Sequence, residues 1–230
     1  MESMRRTARA TLVGVVVAAS VAASAFGADL STAQIRRVEE AGAVLGEIHT
    51  VPDKDVPQEL WDRAACVVVV PSLKKAAFVL GAEYGKGLMS CKKDGAWSAP
   101  VFMRVEKGSW GLQIGAQSID LVLLVMNERG MHKLLGNKVT LGAEASVAAG
   151  PVGRDARAAT DAQMKAEILS YSRAQGLFAG VNLSGGVLRP DADDNQDLYG
   201  RQISVKDVLA GHTIEVPAAA DPFMRALQRK

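Results

Sequence analysis

Cys66-Val67-Val68-Val69-Val70-Pro71 (CVVVVP) is where the chain changes period. Branching at Cβ stiffens χ1 and suits a pleated surface better than a helix, and Pro71 ends the run, so it reads as a strand. Downstream, Ala77–Glu83 and Lys86–Lys92 read as two more strands, and Asp94-Gly95 is a hairpin signal. A strand over about Trp97–Val105 follows. Ser109–Ala116 alternates, with Trp110, Leu112 and Ile114 on one face, and Asp120–Met126 has the composition of a buried strand. Trp110 is expected in the core on that alternation. Glu128–Leu135 reads as a short helix stopped by Gly136-Asn137.

Upstream of the valine run the period is helical. Ser31-Thr32-Ala33-Gln34 is a capping-box pattern, and Ile35, Val38, Ala41, Gly42, Leu45 and Ile48 recur at helical spacing. An amphipathic helix over about 32–49 is expected, stopped at Val51-Pro52, with a short helix near Pro57–Ala64. In the last third, Val139–Ala148 is open between strand and irregular chain. Ala166–Arg173 and Leu177–Leu188 read as strands, with a bulge or bend at Gly185-Gly186, and Ser204–Ala210 and Pro222–Gln228 as helices. The chain has 22 glycines, many inside strand patterns, which points to bulges and strong curvature. The fold class is therefore α+β: a strongly curved, glycine-rich antiparallel sheet, open or partly closed into a barrel, with an N-terminal amphipathic helix and short covering helices.

Composition bounds the function. The chain has 230 residues, 48% hydrophobic and 23% charged, which excludes disordered, collagen-like and coiled-coil classes. Its 27 Lys+Arg against 25 Asp+Glu give no basic excess for nucleic acid. Residues 1–25 hold Arg5, Arg6 and Arg9, an apolar run from Ala10 to about Ala23, and the small residues Ala23-Ser24-Ala25. That is a secretory signal pattern cleaved after Ala25, with Gly27 as a second candidate and an uncleaved anchor as the alternative. Arg5-Arg6 lacks a bulky apolar residue after it, so ordinary export is expected. No cysteine precedes Cys66, so no thiol is placed for lipidation, and a soluble exported domain over 26–230 is expected.

Motifs for chemistry are weak. His49, His132 and His212 fall on separate elements and read as surface or capping residues. Ser184 is not in a G-x-S-x-G elbow. Gly81–Gly87 lacks the phosphate-loop pattern and reads as a hairpin turn. Asp191-Ala192-Asp193-Asp194-Asn195-Gln196-Asp197 resembles the start of a calcium loop, but Gln196 and Gln202 stand where glycine and glutamate are needed. A solvated acidic turn is expected there. No cofactor, metal or catalytic residue is assigned. If the first and third strands pair antiparallel with Val70 near Gly87, then Cys66 meets Cys91 and a disulfide follows; two separate buried thiols are the alternative.

Several segments together resemble the SYLF domain family, found in exported bacterial proteins and in eukaryotic membrane-trafficking proteins. They are Cys66–Pro71, Gly81–Gly87, Trp97–Pro100, Gly108–Gly115, Asp120–Met126, Gly150–Arg154, Tyr171–Gly180 and Leu198–Gly200, and the resemblance spans about residues 31–212. It implies binding of phospholipids with acidic head groups, actin-filament binding in some fungal members, and no enzymatic activity. It also implies a lipid-binding role for the N-terminal helix and nearby basic residues, here Arg36 and Arg37. Lys74 and Lys75 after Pro71, and Lys92, Lys93 and Trp97 around the hairpin, extend that candidate patch. Two competing readings stand beside it. The apolar stripe of the helix packs on the sheet, and the lysines serve solubility. The functional expectation is a non-enzymatic phospholipid-binding protein of the bacterial envelope, periplasmic or envelope-associated. The alternative is a periplasmic scaffold that binds a protein partner.

Overall fold

The computed structural model describes residues 30–48, 56–153, 163, 165–174, 177–210 and 214–228. The proposed signal segment, His49 and His212 lie outside the described residues, as do the side chains of Trp110, Leu112 and Ile114. His132 is exposed in the last turn of a short helix.

Helix α1 (Thr32–Glu47) starts at the expected capping box: Gln34 N–H donates to the Ser31 hydroxyl and Ser31 N–H donates to Gln34 Oε1 at 2.6 Å. Val38, Ala41, Gly42, Leu45 and Ile48 are buried as expected and Val44 joins them, whereas Ile35, at the start of the stripe, is 44% exposed. The stripe packs against β1 and the C-terminal helix α6 (Asp221–Gln228). Gly42 makes the second contact: a Cβ there would lie 2.8 Å from the Pro222 carbonyl oxygen. The packed reading of the stripe is therefore the observed one. Helix α2 (Gln58–Arg63) follows.

The three expected strands from Cys66 to Lys92 are one strand, β1 (Cys66–Lys93), and Ser109–Ala116 and Asp120–Met126 belong to one strand, β3 (Val101–Val125). The Gly81–Gly87 turn does not exist; it is a run of β1, because its backbone pairs with Met103–Ser109 of β3. The two strands pair antiparallel from Cys66↔Val125 to Met89↔Val101, with register shifts after Val70 and Phe78. Such shifts bend a strand and increase its twist. The ends of β1 consequently return to one another: Lys92 N–H donates to the Ala65 carbonyl at 2.7 Å, and Cys66 and Cys91 form a disulfide. The bridge forms and Val70 does lie near Gly87, but through a close crossing rather than the expected strand pairing, since the ladder partner of Cys66 is Val125. Glycine is required at the crossing. A Cβ on Gly87 would stand 1.9 Å from the Val69 carbonyl oxygen.

Short β2 (Ala96–Trp97) closes the hairpin on β1. Helix α3 (Glu128–Leu134), β4 (Val139–Thr140), β5 (Val147–Ala149), β6 (Ile168–Ala174), β7 (Leu177–Gly180) and β8 (Val187–Pro190) follow. The expected Leu177–Leu188 strand is split into β7 and β8 by a turn in which Gly185 takes φ 82°. β3 is central: its end pairs with β6 and its beginning with β8. All pairs are antiparallel except β5–β6, and the eight strands curl into a half-barrel.

Both faces of the valine run are covered. Val67, Val69, Leu88, Phe102, Val122 and Leu124 face α1, α2 and α6, while Val68, Val70, Met89, Met103, Leu121 and Leu123 form a second core with α3 and α5 (Val205–Ala210). Two-sided burial explains a run without polar alternation.

Asp191–Asp197 is the clearest departure. The segment is helix α4 (Ala192–Tyr199), not a solvated turn, and Asp191 and Asp194 are only 1% and 8% exposed. The helix docks on β3 by main-chain mimicry. Phe102 N–H donates to Asn195 Oδ1 at 2.7 Å, Asn195 Nδ2 donates to Phe102 O at 2.9 Å, and the Tyr199 hydroxyl donates to Pro100 O.

Candidate functional site

A surface groove of about 280 Å³ lies between α1 and the first bend of β1. Its lining includes Arg36 and Arg37 from the helix, Lys74, Tyr84 and Lys86 from the strand, and one carboxylate, Glu40. The bend brings these together: Ser72, also in the lining, sits at φ 55°, and its N–H donates to Asp120 Oδ1. A non-glycine residue in the left-handed region is uncommon, and the Asp120 bond holds it there.

The groove has a neutralised floor and a charged rim. On the floor, Arg37 Nη1 donates to Asp194 Oδ2 at 2.8 Å, and Lys86 Nζ lies 3.1 Å from the same oxygen and 2.7 Å from Asp191 Oδ2. Gln34 Nε2 fixes Asp194 Oδ1 at 3.0 Å and also donates to Asp197. Burial alone would lower the Lys86 pKa, but the hydrogen bonds and charges of Asp191 and Asp194 outweigh it and hold it above the ordinary lysine value. The Arg37 guanidinium also lies over the Phe102 ring, 5.6 Å from its centre. On the rim, Arg36 and Glu40 are 3.6 Å apart and mostly exposed, a pairing worth little in water. Lys74 is exposed and makes no ion pair among the described residues. Tyr84, 44% exposed, adds an aromatic body.

Of the seven candidate residues, the structure brings Arg36, Arg37 and Lys74 into this groove. Lys75 is adjacent in sequence but pairs with Glu83 at 3.5 Å. Lys92, Lys93 and Trp97 lie in another part of the molecule. Lys92 Nζ donates to the Trp61 and Asp62 carbonyls at the end of α2 and sits 4.7 Å from the Trp97 ring centre, and burial lowers its pKa. Trp97 Nε1 donates to Leu227 O and thereby ties α6 to the hairpin. Both side chains are engaged in packing. Tyr84 and Lys86 were missed by sequence reasoning. Their signal was the i, i+2 spacing around Gly85, which places both on one face of a strand.

Comparison with known proteins gives the family. Residues 106–230 match the family model Ysc84, described as Las17-binding protein actin regulator. The chain belongs to the Ysc84 family. It is 39% identical over 180 residues to the SH3 domain-containing protein PJ696.02 of Schizosaccharomyces pombe, an alignment covering 76% of this chain and 41% of that protein. It is 32% identical over 182 residues to protein YSC84 of Saccharomyces cerevisiae, covering 77% of this chain and 38% of the relative. It is also 32% identical to the human SH3 domain-containing YSC84-like protein 1, covering 75% of this chain and 51% of that protein. The chain thus spans about two-fifths to one-half of these Ysc84 relatives. The Ysc84 assignment agrees with the SYLF-type resemblance carried by the strand and glycine segments.

Proposed function

We propose that this Ysc84-family protein binds acidic phospholipid head groups at a membrane surface, without catalysing a reaction, after export to the cell envelope. One observation carries the reading: Arg36 and Lys74, from elements distant in sequence, meet at the rim of one groove with only Glu40 as a lining carboxylate. The apolar face of α1 is spent on the core, so the helix meets the membrane with its cationic side rather than by insertion. No helix among the described residues is long and apolar enough to cross a membrane, which fits peripheral contact. Export rests on the basic and apolar pattern of residues 1–25, and the Cys66–Cys91 bridge supports an oxidising compartment.

Vesicle flotation tests this reading. The protein should float with vesicles containing acidic phospholipid, not with neutral ones, and lose binding as salt rises. Arg36→Glu with Lys74→Glu should weaken binding about thirtyfold or more, at roughly 1 kcal/mol per surface cation lost. Salt-insensitive binding, or unchanged binding by the double variant, would refute it.

The second reading is a protein partner at the same face. It is favoured by the family description as Las17-binding. Chemical crosslinking in envelope extracts that captures one defined partner at Arg36 and Lys74, with no flotation, would select it.

A further inference from the structure

Beyond the groove, the same face of the sheet carries a row of three cations. Lys86 on β1 opposes Arg104 on β3, and Arg104 opposes Arg189 on β8. Directly opposed residues project to one face, and adjacent strands lie ~4.8 Å apart, so the row spans about 10 Å of backbone. Like charges so placed destabilise a sheet unless countered.

The counter-charge is unevenly supplied. Lys86 has two carboxylates, Asp191 and Asp194. Arg104 and Arg189 share a single oxygen, Glu106 Oε1, at 3.7 and 2.7 Å. The Nε atoms of both guanidiniums are shut off from solvent and donate to no acceptor among the described residues, while the side chains keep 29% and 35% of their exposure. The pair therefore holds one surplus positive charge and more donors than Glu106 accepts. Planar guanidinium forks of this kind match an oxygen-rich anion such as phosphate. Lys86 belongs to both regions, since it lines the groove and opposes Arg104. Tyr84, which also lines the groove, opposes Glu106.

We propose that Arg104 and Arg189 form a second anion seat, and that this seat and the groove together take one phospholipid head group carrying two phosphates. Lys86, already neutralised by its aspartates, separates the regions into two seats rather than one broad patch. Tyr84 supplies an apolar body with a polar tip, the combination favoured at head-group depth. The membrane as the source of phosphate rests on the reading above; the seat itself rests on the guanidinium pair.

The test compares phosphatidylcholine vesicles containing diphosphatidylglycerol with vesicles containing phosphatidylglycerol at equal phosphate charge. In parallel, inorganic pyrophosphate is titrated calorimetrically without lipid. The protein should bind the two-phosphate vesicles about fivefold tighter, the effect of one added cation contact. Arg189→Gln should abolish that preference and weaken pyrophosphate binding, and should weaken one-phosphate vesicle binding less than two-phosphate vesicle binding. Arg36→Gln should weaken binding to both vesicle types. Arg189→Lys, which keeps the charge but not the fork, guards against loss of folding and should retain only part of the preference. Equal binding of both vesicles by the unmodified protein overturns the two-phosphate assignment. A preference that survives in a folded Arg189→Gln protein overturns the seat. Absence of vesicle binding with Arg189-dependent pyrophosphate binding overturns the membrane source and upholds the seat for a free diphosphate.

Discussion

Arg37 and Asp194, 157 residues apart in the chain, meet at 2.8 Å, and Lys86 approaches the same carboxylate oxygen at 3.1 Å. This contact joins the first helix, the curled strand and α4, so it fixes the groove floor and isolates the rim charges above it.

Asp194→Ala should leave two poorly solvated cations without their shared partner. All three side chains are at most one-quarter exposed. A loss of about 2 kcal/mol is expected, between the ranges for exposed and fully buried pairs. Urea denaturation at neutral pH measures it.

Glu167 should make stability acid-sensitive. Burial alone would raise its pKa, but bonds from Lys133 Nζ and Ser146 N–H outweigh this and place it below the ordinary value of 4.5. A lowered folded pKa contributes stability that is fully present above pH 4.5 and is lost as pH falls through the folded value. Glu167→Gln should therefore be less stable than the parent at neutral pH, with the difference shrinking in acid. Paired urea melts at pH 7 and at about pH 3 provide the check.

Removing the disulfide by Cys66→Ser with Cys91→Ser should cost about 3 kcal/mol, since it releases a loop whose ends are 25 residues apart. Reducing the parent should bring its thermal midpoint down to that of the double variant, and reductant should leave the double variant unchanged.

Gly87→Ala and Gly150→Ala should both damage the fold. At residue 87 the new methyl would sit 1.9 Å from a main-chain oxygen, and at residue 150 it would sit 2.0 Å from the ring of Tyr171, which is fully buried. Losses of about 3 kcal/mol or more are expected because neither neighbour can move freely. Gly95→Ala is the contrast. Nothing lies within 4 Å there, and only its φ of 84° opposes the change. Circular dichroism melts of the three variants separate crowding from backbone strain.

The residues that were legible in sequence are those whose partners are near in the chain. Ser31 and Gln34 bond across one helical turn, so their capping box was readable, and the valine run declared a strand through its own side-chain stiffness. Family membership was readable too, because it rests on the order of short segments. Arg36, Arg37 and Lys74 were singled out as cations, but nothing in the sequence said that they share a groove while Lys92 and Trp97 pack elsewhere.

What the tertiary structure alone decided has a common cause. The strand limits were misjudged because Gly81–Gly87 has turn composition, yet its backbone hydrogen bonds go to β3, about twenty residues onward. Asp191–Asp197 read as solvated because six polar residues in seven, four of them carboxylates, belong on a surface unless cations are brought to them. Arg37 and Lys86 are those cations, and only the curling of β1 places them there. Local propensity is a property of neighbours in sequence. Charge pairing, burial and register are properties of neighbours in space, and in this chain the groove is made entirely of the second kind.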